Sequence, residues 1–254
     1  MPGKASGSQI LEMVKDHPVF RDSFWSNFRQ GTGGIAFEGL AGVFHQFDQV
    51  TLASRNLGRL PKTLREHGLV EQAALVEQVL RSEDGHQEEL WKMLEFLLQR
   101  AFPTETAELI GGKNTGKDFG NMLTERRTLL PGSRSMIELF RARDLEGYDN
   151  ALFSLGVMVG VEFFANRSFM PGFATFCVGN PTFGHPTMET EELFYLKEHC
   201  GESGAEAEHE AKMTQAMLNG LFREEDLAQV ALGAKKLCDT AQDWYRDMSS
   251  CFSL

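Results

Sequence analysis

Three stretches of the 254-residue chain carry side chains able to do chemistry. In the first, Glu83 and His86 stand three residues apart within Glu83-Asp84-Gly85-His86. On a helix that spacing places both on neighbouring positions of one face. A Glu-x-x-His pair is how carboxylate-bridged metal bundles supply a bridging oxygen and a terminal nitrogen. In the second, Glu162 is the only acidic residue of a mostly apolar run from Leu152 to Phe169. A carboxylate in such surroundings is strongly disfavoured unless paired, protonated or bound to a metal; a salt bridge to Arg167 is the simpler alternative. In the third, Phe194 to Met217, residues His199, Glu206 and His209 follow one another at offsets of seven and three. At ~100° per residue, His199 and Glu206 fall within about 20° of one helical face and His209 about 60° further round. The competing reading is a solvated acidic face, because Glu202, Glu208 and Glu210 crowd the same segment.

Taken together, the three stretches offer three carboxylates and three imidazoles. Mixed nitrogen and oxygen sets of this size suit two iron or manganese ions. The four cysteines, Cys177, Cys200, Cys238 and Cys251, have no zinc-site spacing and read as free thiols of a reducing cytoplasm.

Helices must position these groups, because no stretch sustains the alternation of a strand and the chain reads as all-α. Apolar spacing predicts a helix over 8–29 that Pro18 kinks or divides, and another from Ile35 to Leu57. His45 and Asp48 fall in the latter as polar-face or supporting residues. Pro61 to Leu98 reads as one helix followed by a longer one carrying the Glu83–His86 pair. The sequence 103–135 looks like an irregular insertion. Within it, Gly111, Gly116 and Lys117 imitate a phosphate loop, but Asp118 stands where a Ser or Thr would hold magnesium. The reading there is a surface connection or a lid. Gly172 to Pro186 is turn-like, the 194–217 segment reads as one helix weakened by Gly201 and Gly204, and Leu218 to Phe252 finishes the chain with one or two amphipathic helices.

Composition narrows the function classes. A net charge of -11 argues against wrapping nucleic acid. The N-terminal stretch has no apolar core of a secretory signal, and the longest apolar passage is far too short for a membrane span. A single cytoplasmic domain, 1–254, is the expectation. Twenty phenylalanines against three tyrosines predict an aromatic core poor in hydroxyls.

The order Glu-x-x-His, a lone Glu in an apolar helix, then His…Glu-x-x-His, with the lead-in Phe194-Tyr195-Leu196-Lys197-Glu198-His199, resembles the heme-oxygenase-like di-iron oxidases and oxygenases over roughly residues 35–220. That family is a bundle of about seven helices, similar to heme oxygenase and the TenA-type thiaminases. The resemblance implies two Fe(II) ions held by Glu83, His86, Glu162, His199, Glu206 and His209, with Glu83 and Glu162 as bridging, catalytic carboxylates. It further implies O₂ as co-substrate and a small amino-acid-like or carboxylic-acid substrate in natural-product biosynthesis. The family spaces its third-helix ligands His-x-x-x-Asp-x-x-His, whereas six residues separate His199 from Glu206 here. Either the helix bulges at Cys200–Gly204 or Glu202 takes a ligand role. Arg167 is a candidate anchor for a substrate carboxylate, and Phe163, with Phe164, Phe169 and Phe173, a candidate pocket wall. A homodimer is left open. The alternative is a metal-free, TenA-like helical protein that binds a small ligand. Heme binding has only His17 and His45 to draw on, neither in a supporting context.

Overall fold

The computed structural model describes residues 6–83, 85–111, 117–125, 127–141, 147–200, 204–219 and 222–252. Among them there is no strand. The helices are α1 Gly7–Lys15, α2 Phe24–Gly31, α3 Phe37–Ser54, α4 Leu60–Glu66, α5 Val70–Ser82, α6 His86–Ala101 and α7 Pro103–Ile110. They continue with α8 Lys117–Glu125, α9 Pro131–Phe140, α10 Tyr148–Phe164, α11 Met170–Cys177, α12 Phe194–His199, α13 Ala205–Leu218 and α14 Glu224–Ser249.

The helix count exceeds the expected seven because proline and glycine cut longer runs into pieces. Pro18 divides the first predicted helix, with a 3₁₀ turn at Pro18–Arg21 between α1 and α2. The stretch 103–135, expected to be irregular, carries α7, α8 and the start of α9. Pro103 and Pro131 sit in the first turns of α7 and α9, where a missing N–H leaves no bond unmade, and Gly111 ends α7 in the left-handed region at φ 59°. These residues punctuate helices; they do not signal a loop. The same holds for Pro171 in the first turn of α11, part of a segment expected to be turn-like. Gly116 and Asp84 lie outside the described residues, as do Gly201, Glu202 and Ser203.

A helix apolar on every side must be surrounded, and α10 is the centre of the molecule. Twelve of its seventeen residues are buried, from Ala151 to Phe164. Its main neighbour is α14, and the two backbones approach closely through glycines. A Cβ on Gly156 would lie 2.0 Å from the Val230 carbonyl oxygen, and one on Gly233 2.0 Å from that of Phe153. Aromatic rings fill the end of the bundle beyond α10. Trp25, Phe169, Phe173 and Phe176 pack together, and the Trp25 indole N–H donates to the Tyr245 hydroxyl at 3.1 Å. Between α10 and α11 the chain makes a five-residue π-helical turn, Ala165–Phe169. Among the described residues no helix is long and apolar enough to cross a membrane.

The glycine contact predicts that Gly233→Ala lowers stability by about 1–3 kcal/mol or more, since the new methyl meets a backbone oxygen that cannot move aside. Gly42→Ala in α3, where an added Cβ meets nothing within 4 Å, should instead raise it by about 0.5–1 kcal/mol. Urea denaturation read by tryptophan fluorescence checks both. Equal midpoints would mean that α10 and α14 can part without loss.

Candidate metal centre

The six residues singled out by spacing come together, but two of the three spacings arise differently from a shared helical face. Glu83 follows the last residue of α5, and Gly85, in the left-handed region at φ 99°, turns the chain so that His86 opens α6. Glu-x-x-His therefore spans a helix-to-helix corner. His199 ends α12, Cys200 and Gly204 are extended, and Glu206 and His209 lie in the first turns of α13. The single helix expected over 194–217 is thus two. Glu162 lies in the last turn of α10, where the π-turn follows it; most of Cys200–Gly204, where the sequence admits a bulge or a ligand role for Glu202, lies outside the described residues. A side chain at a helix end is aimed by the turn as well as by the helix, which lets ligands from α5, α6, α10, α12 and α13 reach one volume.

Two groups form there. In each of Glu83–His86–His199 and Glu162–Glu206–His209, one nitrogen or oxygen per residue lies within 4.8 Å of the others. Glu83 joins them. Its Oε2 is 3.9 Å from His86 Nδ1 and 3.7 Å from His199 Nε2, while its Oε1 is 3.4 Å from His209 Nδ1. His209 Nδ1 is also 3.3 Å from Glu162 Oε2 and 3.9 Å from Glu206 Oε2. Glu83 thus spans both groups with one oxygen each. Glu162, the other expected bridge, faces the second group through His209. It makes its ion pair there and not with Arg167.

Neighbouring hydrogen bonds set which imidazole nitrogens are free. The His199 Nδ1–H donates to the Tyr195 carbonyl at 2.6 Å, leaving the Nε2 lone pair directed at His86 Nδ1, 3.1 Å away. The Ser82 hydroxyl gives its one proton to the Val79 carbonyl at 2.8 Å. Its oxygen therefore accepts from His209 Nε2–H at 2.7 Å, and the His209 Nδ1 lone pair points among the carboxylates. Glu83 Oε1 and His209 Nδ1 are buried without a hydrogen-bond partner. Lone pairs converging on lone pairs are repulsive unless protons or cations lie between them. Holding the outer nitrogen of a histidine so that the inner one faces inward is how metal-binding histidines are oriented.

The protonation balance is strained in the same sense. Burial pushes the Glu206 carboxyl well above its ordinary value, and Glu162 and Glu83 push it further. Burial also raises Glu162, against the pull of His209. For Glu83 burial alone would raise the pKa, but His199, His209 and His86 outweigh it and hold it low. Burial would lower His209, yet Glu162 and Glu83 raise it. Among the described residues no lysine or arginine pairs with the carboxylates of either group.

The remaining expectations resolve as follows. Arg167 is engaged in a two-pronged pair with Glu210, Nε to Oε2 at 2.8 Å and Nη2 to Oε1 at 2.5 Å, and its guanidinium covers the Phe163 ring at 5.2 Å. It ties the π-turn to α13. Phe163 is fully buried beneath it. A cavity of about 640 Å³ borders Glu83, Glu162 and Glu206, and its wall includes Phe164 and Phe169. His45 and Asp48, expected as polar-face or supporting residues, are both buried. Asp48 accepts from Gln87 Nε2 at 2.8 Å and Trp91 Nε1 at 2.6 Å, fixing the start of α6 beside His86. His17 pairs with Asp239 at 3.1 Å, and burial, with Arg127, lowers His45 to about 4.

Spacing alone did not reveal Ser82, Tyr195 or Glu210. Tyr195 precedes His199 by one helical turn and stacks on it at 4.2 Å, a relation the sequence order permits without marking. Glu202 lies outside the described residues. No protein-family model, curated protein or solved structure matches this chain, so the functional argument rests on this geometry.

A pH dependence follows. Glu162, Glu206 and His209 have raised pKa values in the folded chain, so above the ordinary carboxylate range the fold holds protons that the unfolded chain releases. Stability of chelator-treated protein should therefore fall as pH rises from about 5 to 8. Glu206→Gln should flatten the fall, and a divalent cation should reverse it. Melting curves across this range test the sign; stability that climbs with pH would contradict it.

Proposed function

We propose that this chain is a non-heme di-iron enzyme that activates O₂ to oxidise a small carboxylic-acid or amino-acid-like substrate. In this reading the helices are a heme-oxygenase-like bundle elaborated with extra short segments. One observation carries the reading: the two oxygens of Glu83 face two separate histidine and carboxylate groups. A carboxylate that spans two ligand sets is the arrangement that holds two metals close together.

Charge and ligand type support it. Three carboxylates offset two divalent cations to within one unit, and no other cation reaches the site among the described residues. Glu83, His86 and His199 would hold one ion, and Glu162, Glu206 and His209 the other, with Glu83 shared. Nitrogen and oxygen donors favour iron or manganese over thiolate-bound zinc. Cys200, next to His199, is kept a neutral thiol: burial, with Glu206, raises its pKa to about 12, and its Sγ–H donates to the Met170 carbonyl. Two bound ferrous ions would supply the electrons that reduce O₂.

The residues around the ions have separable tasks. Ser82 and the Tyr195 carbonyl fix the inward-facing nitrogens of His209 and His199. Asp48 holds the α6 corner. Phe164, Phe169 and Met170 line the cavity beside the carboxylates. A metal-free, TenA-like ligand-binding protein is the second reading, favoured by that same cavity.

Anaerobic ferrous titration of metal-stripped protein should give two irons per chain, with a transient visible band on mixing with O₂. His86→Ala should lower iron at one site more than at the other, and Glu83→Ala should weaken both. Glu162→Ala should abolish iron-dependent O₂ consumption while far-ultraviolet circular dichroism stays near that of the parent. Absence of iron uptake would favour the ligand-binding reading, and unchanged stoichiometry in His86→Ala would remove that residue from the set.

A further inference from the structure

Away from the cluster, two buried cationic or basic side chains have polar atoms that nothing meets. His45 is 1% exposed, and among the described residues neither ring nitrogen has a hydrogen-bond partner. The Arg127 side chain is 8% exposed, and its Nε and Nη1 are buried without an acceptor. The two face one another along α3. Gln46, the residue after His45, grips the chain just past Arg127: its Nε2 donates to the Thr128 carbonyl at 3.1 Å, and its Oε1 accepts from the Leu130 N–H at 2.9 Å. From that anchor the Arg127 side chain runs back along the helix. Its guanidinium lies over the Phe37 ring at 5.8 Å and gives Nη2–H to Glu38 Oε2 at 2.8 Å. Glu38 and His45 are seven residues apart, so they share one face of α3 two turns, roughly 10 Å, from each other. Ala41 and Gly42 occupy the turn between them. Gly42 is half-buried, and a Cβ there would meet nothing within 4 Å among the described residues. A helical side chain leans over the turn preceding its own Cα, which brings the His45 ring to one side of this space and leaves the guanidinium on the other.

We propose that the space over Gly42 is a site for a small monovalent anion, of the size of chloride or formate, held between the His45 imidazole and the Arg127 guanidinium. The donor set selects the class. A guanidinium has N–H groups and no acceptor. Burial, with Arg127, lowers the His45 pKa to about 4, so the ring is neutral and brings one N–H. An occupant that only accepts matches this set. Charge points the same way. The one ion pair of Arg127 among the described residues is with Glu38, whose side chain is 77% exposed, and so open a pair is heavily screened. A buried cation calls for a buried counter-charge, which a water molecule does not bring. The ion would tie α3 to the segment that leads into α9. Chloride and formate share the required chemistry, a compact single negative charge with free lone pairs. The site lies apart from the six acidic and imidazole residues and takes nothing from the di-iron reading.

Titration of the full chain with sodium chloride and with sodium formate tests this, sodium gluconate holding the ionic strength constant because its anion is too bulky for the space. Melting curves and ³⁵Cl nuclear magnetic resonance line widths are the readouts. Each small anion should raise the melting point along a saturating curve. The chain should broaden the chloride signal, and formate should compete the broadening away. In ¹H–¹⁵N spectra of the histidine rings, the His45 signals should move with the same midpoint. Arg127→Met should weaken binding on the order of tenfold or more. Gly42→Leu fills the space from a half-buried helix position and leaves both donors in place; it should abolish binding, and it keeps the test open should Arg127→Met fail to fold. A melting point indifferent to both anions is the result expected of a site filled by water, and it would overturn the proposal. Broadening equal in the parent and both variants would do so too, as adventitious surface ions only, and so would His45 signals that stay still. A response to formate without chloride broadening would assign the site to carboxylates, and the reverse would assign it to halides.

Discussion

Three carboxylates and three imidazoles are held in one largely buried volume from which lysine and arginine are absent among the described residues. Most of the architecture can be understood as the means of bearing that arrangement. The electrostatic demand is severe, since a buried carboxylate needs a proton or a cation. Here Glu162 and Glu206 are pushed toward the protonated form while His209 is drawn toward the charged one. A site that is uncomfortable with protons alone is suited to exchange them for metal, and metal binding then becomes part of folding stability.

The bundle supports the site with polar links placed just outside it. Asp48 joins α3 to α6 through Gln87 and Trp91; Ser82 joins α5 to α13 through His209; Glu210 joins α13 to the π-turn through Arg167. Each link ends next to a ligand, so each restricts a helix terminus that would otherwise fray. Two of the corners turn on special backbone: Gly85 is left-handed, and Cys200 and Gly204 are both extended. The central helix is held by direct contact, because Gly156 and Gly233 lock α10 against α14.

The cavity adds a second asymmetry. The chain is acidic overall and three carboxylates meet at the candidate metal centre, and yet Arg55, Lys62, Arg65 and Arg81, with Glu77, also border the cavity.

The sequence by itself determined that the chain is helical, that Glu162 stands in an apolar helix and that the six acidic and imidazole residues are the ones to watch. Period, the continuous apolar run around Glu162 and the choice of residue types are local properties, legible without contacts. The positions of proline and glycine were equally visible, but their meaning was not: 103–135 read as irregular where Pro103, Gly111 and Pro131 bound helices. Tertiary structure alone decided the rest. Glu83–His86 and His199–Glu206 looked like helical faces, yet each straddles a break, because a left-handed glycine or an extended pair redirects the chain in a way no periodicity encodes. Arg167 could have met Glu162 or a substrate, and it meets Glu210. Which partner a charged side chain finds depends on distances between helices far apart in the chain, and those distances are fixed by packing.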